Sequence, residues 1–233
     1  MAMLLSPVHS VAQSAREGSA VERFSDRLQT ALNSGSASAL DTLASVDLQH
    51  VLAQRLERFR QDFPEVTWQV QPAAPTPDGR PTLSLWVRGS AESDGLTYAL
   101  EASEQIAIRL EDGELVEQEL LAQQSLLRSG RRPLAVNVAI PDVVLTGSRY
   151  DVDLIVKEPL GQALVAGGLI SLTDEQLSAQ MRPNLPLAPQ GGGGLFKSVQ
   201  APQQPGSQSW ALMLVHPDGV VTATKRVRVV SSY

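Results

Sequence analysis

Histidine is the residue type here whose chemistry would be most informative, because an imidazole can act as an acid, a base or a metal ligand near neutral pH. The chain contains His9, His50 and His216. His50 follows Asp47 by three residues, so both would lie in one helical turn, although an acid–base role needs a positioned partner. Isolated histidines do not build a multi-ligand zinc site. We therefore predict no catalytic residue, no metal site and no cofactor, and the sequence favours a protein that is not an enzyme.

A glycine-rich segment, Gly191 to Ser198, has part of the pattern of a phosphate-binding loop. That loop needs a glycine directly before its lysine, whereas Phe196 precedes Lys197 here, and no helical pattern follows that could direct an N-terminus at a phosphate group. The segment belongs to a Gly- and Pro-rich stretch, 182–208, which predicts a long loop. Within that loop, Leu195 to Val199 could pair as a strand.

The apolar pair inside this loop allows two interpretations. Leu195 and Phe196 either fill the core of the surrounding domain or project as a contact for another molecule. An aromatic ring beside the cation of Lys197 is typical of the anchors that dominate protein–protein contacts. Leu195, Phe196 and Lys197 are therefore the candidate partner-binding residues.

Acidic side chains cluster around one predicted turn. The set is Glu111, Asp112, Glu114, Glu117 and Glu119. It favours a solvated sheet edge, because charge at an edge discourages strand addition by another chain. The ligand pattern of a calcium loop is absent from the sequence. Asp151 and Asp153 are likewise predicted on the outward face of their strand.

The composition excludes several classes of function. The chain has 19 basic and 25 acidic residues and a net charge of −6, so it lacks the concentrated basic face of a protein that binds the nucleic-acid backbone. It contains no cysteine, which excludes disulfides, thiolate metal sites and a cysteine nucleophile. No apolar run approaches the roughly 20 residues of a membrane span.

The first third of the chain has the period of amphipathic helices. Ser19 and Glu22 form a capping box that predicts a helix start. Behind it, one apolar stripe has helical spacing: Val21, Phe24, Leu28 and Leu32. A short second helix is predicted over Ala37 to Ala44. Asp47 can cap a third helix, which ends before Pro64.

From Val66 onward apolar residues recur at every second position, which predicts strands. Asp112-Gly113 stands between two such runs and is the strongest hairpin signal in the chain. The segment Leu115 to Leu127 suits either a strand or a helix by its spacing, and the hairpin favours the strand. The first half therefore predicts an α+β layout.

Ser129 to Pro133 is the predicted domain boundary, and short strands at turn-marked intervals beyond it predict a β-sandwich. The predicted fold class is an α+β N-terminal domain, with helices packed on a curved antiparallel sheet, followed by an all-β C-terminal sandwich. The expected parts are a signal-peptide remnant or disordered N-terminus over 1–18, the α+β domain over 19–129, a linker over 130–133, and the sandwich over 134–233 with its loop 182–208.

The stretch Arg23 to Ala44 resembles the opening of the nuclear transport factor two superfamily, where a first helix ends in "ALN-x-G" and a second begins "-AL-x-x-L". Val87 to Gly89, Tyr98 to Leu110 and the hairpin Glu111 to Leu115 are also similar to that family's sheet. The resemblance covers about residues 19–128. The second half resembles a generic immunoglobulin-like sandwich, without the Cys–Trp–Cys core of antibody domains.

The first resemblance implies a cone of helices on a curved sheet with a pocket between them. Members of the superfamily include isomerases, dehydratases and domains without activity, so the fold alone assigns no chemistry. The Asp, His or Tyr dyad of the enzymes cannot be matched residue by residue in this chain. The candidate ligand-pocket residues are His50, Tyr98 and Trp68.

The N-terminal residues have part of the pattern of a secretory signal. Met1 to Leu5 are apolar, and Ser10 and Ala12 place small residues where a signal peptidase reads, which predicts cleavage after Ala12. No Lys or Arg precedes Arg16, so an ordinary N-terminus and a cytoplasmic location remain the alternative. The preferred expectation is export to the periplasm or an equivalent lumenal compartment.

These patterns favour an exported, non-catalytic binding or assembly module that acts through protein–protein contacts with a partner in the cell envelope, and they predict no nucleic-acid partner. The alternative is a small-molecule-binding protein, or a lyase- or isomerase-type enzyme, that uses the N-terminal pocket. The two differ in whether the interior of the first domain is filled by apolar side chains or leaves a cavity with polar lining. The sequence leaves the oligomeric state and the identity of the partner open.

Overall fold

The computed structural model of the chain describes residues 8–130, 134–158, 163–178, 184–191 and 193–232. The side chains of residues 8–17 and of Asp174 lie outside this description. The structure is mostly β, and in the described residues strands hold about twice as many residues as helices.

Three α-helices and one 3₁₀ helix lie in the described residues. They are α1 (Val8–Asn33), the 3₁₀ helix (Ala37–Leu40), α2 (Val46–Asp62) and α3 (Asp174–Ser178). None of these helices is long and apolar enough to cross a membrane.

Twelve strands follow or separate these helices in the described residues. They are β1 (Glu65–Ala73), β2 (Thr82–Ser93), β3 (Leu96–Glu111), β4 (Glu114–Gly130), β5 (Val136–Ala139), β6 (Val143–Leu145), β7 (Arg149–Val156), β8 (Val165–Leu172), β9 (Ala188–Gln190), β10 (Gly194–Gln200), β11 (Gly206–His216) and β12 (Gly219–Val230).

Helix α1 begins at Val8 rather than after Ser19, so the helix start predicted from the capping box is wrong. A Ser–Glu pair marks a helix start only where the preceding residues are not themselves helical, and Ala, Gln, Arg and Glu before Ser19 are helix formers. The predicted apolar stripe is confirmed, because all four of its residues are buried. The expected cleavage site after Ala12 falls in this helix, and residues 1–7 lie outside the described residues, so export stays a prediction.

The predicted hairpin is confirmed at the turn between β3 and β4. Asp112 and Gly113 have φ angles of 51° and 84°. Positive φ at both central residues defines the turn type whose twist matches that of paired strands, and Asp-Gly tolerates it well. The ambiguous segment Leu115 to Leu127 is accordingly part of strand β4.

The strands form one large sheet and one small sheet, and this topology corrects the predicted fold class. The large sheet has the order β1-β2-β3-β4-β12-β11-β8-β9, with β6 also paired to β12, and the small sheet has the order β10-β7-β5. Strand β4 pairs antiparallel with β12 from Gly130↔Gly219 to Gln123↔Arg226. An α+β domain followed by a separate all-β sandwich is therefore wrong, because strands from both halves of the chain belong to the same sheet.

The chain forms two compact units whose boundaries cut across the long strands. Unit 1 comprises Met1–Asp62, Thr67–Trp86 and Gln105–Glu119, and unit 2 comprises Phe63–Val66, Val87–Glu104 and Leu120–Tyr233. Strands β2, β3 and β4 each contribute residues to both units. Each unit is thus built from three separate segments of the chain.

Unit 2 has the architecture of a β-sandwich, with a core built from both sheets. Val152 and Leu154 of the small sheet and Leu212 and Val227 of the large sheet belong to one cluster of buried side chains. Strand β12 alternates strictly between buried and half-buried residues, as a strand with one face on a core must. One of its buried positions holds Lys225, whose ammonium group is paired with the carboxylate of Asp142.

The end of β4 gives the first testable prediction. Gly130 has a φ of +115°, and a Cβ atom there would lie 2.4 Å from the Cα of Gly219 and 2.5 Å from the carbonyl oxygen of Asp218. Gly130→Ala should therefore lower the free energy of unfolding by about 1–3 kcal/mol, a fall of several degrees in melting temperature. Gly206→Ala is the control, since no atom lies within 4 Å of a Cβ built there. Equal melting temperatures for the two variants in thermal denaturation would contradict the β4–β12 contact.

Candidate binding surface

Strand β10 holds the three candidate partner-binding residues, and it separates them by alternation. Leu195 is 3% exposed and Phe196 is 60% exposed. Successive side chains of a strand point to opposite faces of the sheet, so a buried leucine requires the adjacent ring to point away from the core. Leu195 therefore fills the core and Phe196 projects from it. That Phe196 contacts another molecule stays a prediction.

The pairing of β10 with β7 fixes the position of the exposed ring. The strands are antiparallel over the whole of β10, and Phe196 lies opposite Asp153. Leu195 and Val199 face the sandwich interior, where Leu195 is a member of the core cluster and Val199 packs against it. Packing on one face thus holds the Phe196 ring on the opposite face of the small sheet.

A hydrogen-bonded network lies beneath β10. The Nζ atom of Lys197 stands 5.6 Å from the centre of the Trp210 ring, a distance typical of a cation–π contact. The Nε1 group of Trp210 donates a hydrogen bond of 2.9 Å to the hydroxyl of Tyr150. That hydroxyl in turn donates one of 2.7 Å to Oε1 of Gln208. Burial raises the pKa of Tyr150, and the hydrogen bond from Trp210 offsets part of that rise.

The free edge of β10 is defined by the direction of its backbone groups. At its two ends, Val156 N donates to the Gly193 carbonyl and Ala201 N donates to the Ser148 carbonyl. Because bonded pairs alternate in an antiparallel ladder, the odd-numbered residues of β10 bond to β7. Phe196 and Ser198 therefore direct their N–H and C=O groups away from β7, and β10 pairs with no other strand in the described part of the chain.

Two carboxylates lie on the same face of the small sheet as Phe196. The register places Asp153 opposite Phe196 and Asp151 opposite Ser198, so these side chains share the outward face predicted for both aspartates. Arg149 lies opposite Gln200 at the end of the same row. We define the β10 face as Phe196, Ser198, Asp151 and Asp153. In the sequence, this face was indicated by the alternation of apolar and polar residues along β7 and β10. The glycines and prolines around β10 obscured that alternation.

The candidate pocket residues are scattered over other elements. His50 is exposed on α2, and Tyr98 is half-buried on β3. Trp68 is half-buried on β1, with its ring centre 5.3 Å from that of Phe59. Among the described residues, His50 has no hydrogen-bond or ion-pair partner, so nothing positions it as an acid or base. A ligand site at these three residues stays a prediction.

The remaining polar groups show no assembled centre in the described residues. His216 Nδ1 accepts a hydrogen bond of 3.1 Å from the backbone N–H of Asp218, as expected of a side chain at a strand end. No group of three or more histidine or acidic residues in the described ranges could hold a metal ion.

Comparison with known proteins gives one family match. Residues 131–230 match the family described as "Domain of unknown function (DUF8623)", a region that includes β5 to β12 and the β10 face. The comparison with curated proteins finds no significant match. Neither the nuclear transport factor two-like nor the immunoglobulin-like resemblance is confirmed as a family relationship. The β-rich architecture that the second resemblance implies is confirmed.

The network under β10 gives the second testable prediction. Tyr150→Phe leaves the buried Trp210 N–H and the Gln208 carbonyl oxygen without their shared partner. An orphaned buried donor costs about 1–3 kcal/mol, so the free energy of unfolding in urea should fall by that amount. Tyr98→Phe is the control, because the hydroxyl of this half-buried tyrosine makes no hydrogen bond within the described residues. This variant should change the free energy of unfolding by less than about 0.5 kcal/mol. A larger loss in Tyr98→Phe than in Tyr150→Phe would contradict the network.

Proposed function

We propose that this chain is a non-catalytic binding or assembly module that acts through protein–protein contacts made by the β10 face. The observation that carries the proposal is the 60% exposure of Phe196 on a strand whose neighbouring side chain is anchored in the core. Aromatic rings are the commonest anchors of protein interfaces. We further propose a partner in the cell envelope, which rests on the small residues Ser10 and Ala12 of the sequence.

The geometry of β10 favours an extended partner segment. A free edge offers N–H and C=O groups at alternate residues, and a partner strand binds such an edge through main-chain hydrogen bonds. Phe196 supplies an apolar contact on one face of that edge. Asp151 and Asp153 lie beside it on β7, so a partner with a basic side chain next to an apolar one complements the β10 face in charge.

The ring is tested by truncation. Phe196→Ala should weaken partner binding by about 2 kcal/mol or more, roughly thirty-fold in Kd, while the melting temperature stays unchanged because the ring is outside the core. Binding is measured first as the loss of proteins captured from envelope extract by the immobilised chain, and then as Kd with the purified partner.

Three variants make the ring experiment specific. Val51→Ala truncates another exposed apolar side chain, on α2, and should retain full capture. Leu195→Ala should lower the melting temperature, since it removes a core residue. His50→Ala should change neither property. If Phe196→Ala captured the partner as well as the unmodified chain does, the proposal would be wrong. If the chain showed an enzymatic turnover that His50→Ala abolished, an enzymatic function would replace the proposed binding function.

The free edge is tested with proline. Ser198→Pro removes an N–H that points away from β7, and proline is tolerated in an edge strand at such a position. We expect reduced capture with an unchanged melting temperature. Lys197→Pro removes an N–H that bonds to β7 and should lower the melting temperature below that of Lys197→Ala. If Ser198→Pro captured the partner normally, the ring alone would account for binding and strand addition would be excluded.

A further inference from the structure

Unit 1 contains a cavity of about 390 Å³ that neither the proposed function nor the candidate pocket residues involve. Its accessible apolar lining includes Ala20 of α1, Pro81, which precedes β2, and Leu110 of β3, all three half-buried. Its volume falls within the range of about 300–1,000 Å³ that is usual for small-molecule sites. The cavity thus offers an apolar surface of the size that one ring or a short alkyl chain would cover.

The charged groups at this cavity are already paired with one another. Nε of Arg80 lies 2.8 Å from Asp78 and its Nη1 lies 2.6 Å from Glu119. Arg109 bonds through Nε to Glu117 at 3.0 Å and through Nη1 to Glu111. Each guanidinium group therefore has two carboxylate partners, and an incoming anion would have to displace at least one of them.

The charge balance favours a cation instead. Three carboxylates and two guanidinium groups line the cavity, Asp78, Glu117 and Glu119 against Arg80 and Arg109, so the lining has a net charge of −1. The hydrogen bond from Thr76 and, more weakly, the Arg80 guanidinium hold the pKa of Asp78 below its usual value. A cation adds an attraction to this lining without breaking an existing pair.

We propose that this cavity is a binding site for a small organic cation, such as an amine attached to an aromatic ring or a short alkyl chain. The half-buried side chains of Ala20, Pro81 and Leu110 contact the hydrocarbon part, and the carboxylates of Glu117 and Glu119 bind the charged group. The site does not depend on the β10 face, and its residues belong to unit 1 alone.

Three probes with the same ring and different charges test the proposal. Benzylamine, benzyl alcohol and benzoate are titrated into the full chain at low ionic strength, and binding is followed by calorimetry. We expect benzylamine to bind about ten-fold more tightly than benzoate, with benzyl alcohol between them. Benzoate binding as tightly as benzylamine, or no benzylamine binding at all, would overturn the proposal.

Charge and steric variants locate the site. Glu117→Gln with Glu119→Gln changes the lining from a net charge of −1 to +1 and should reverse the preference, so that benzoate binds more tightly than benzylamine. Glu101→Gln with Glu104→Gln makes the same change in total charge on the unit 2 part of β3 and should leave the preference unaltered. Ala20→Leu, on the wall formed by α1, should abolish binding of all three probes without lowering the melting temperature. Unchanged benzylamine binding in Ala20→Leu would refute the site even if the double variant failed to fold.

Discussion

Strand β12 is hydrogen-bonded along both of its edges, and much of the structure depends on this double pairing. One edge is covered by β11 over the whole of Gly206–His216. The other is covered first by β4 and then, beyond Arg226, by β6 in parallel orientation. Since β4 belongs to the first half of the chain and β6 and β11 to the second, β12 unites strands that the sequence places far apart. A buried, doubly paired strand of this kind also leaves no edge of its own exposed to other chains.

The local elements could be predicted from the sequence because each has a local physical cause. The stripe on α1 follows from helical spacing, and the turn at Asp112-Gly113 follows from the positive φ angles that these two residues tolerate. The β4–β12 pairing has no such local cause, because the residues that pair are far apart in the sequence. Ser125 and Thr224, whose hydroxyls are 2.6 Å apart, are separated by 99 residues. Alternation tells which face of a strand is buried and says nothing about which strand lies beside it, and the predicted fold class was wrong for that reason.

The candidate sites divide in the same way. The alternatives for Leu195 and Phe196 came from the residues themselves. Because β10 is a strand with alternating faces, Leu195 is buried and Phe196 is exposed, and a partner contact at Phe196 stays a prediction. His50, Tyr98 and Trp68 were tied to a pocket that the resemblance implied, and the structure does not have the fold class on which that pocket depends. The cavity in unit 1 was out of reach because Arg80, Arg109 and Glu117 stand on three different segments. Arg109 and Glu117 meet because β3 lies beside β4, and the hydrogen bond from Ile108 N to the Pro81 carbonyl brings the segment of Arg80 to β3.

Lys225 has a consequence for the register of β12, that is, for its alignment with the neighbouring strands. Its ammonium group occupies an inward position of β12 between Ala223 and Val227, with Asp142 as its ion-pair partner. A slip of one residue would turn every inward side chain of β12 outward. A slip of two would keep the faces but carry the ammonium away from Asp142, whose carboxylate is more than half exposed, and so lose this ion pair. Lys225, the one charged residue in an otherwise apolar row, therefore favours the observed alignment over one shifted by two residues, which would keep the apolar row on the core but lose this ion pair.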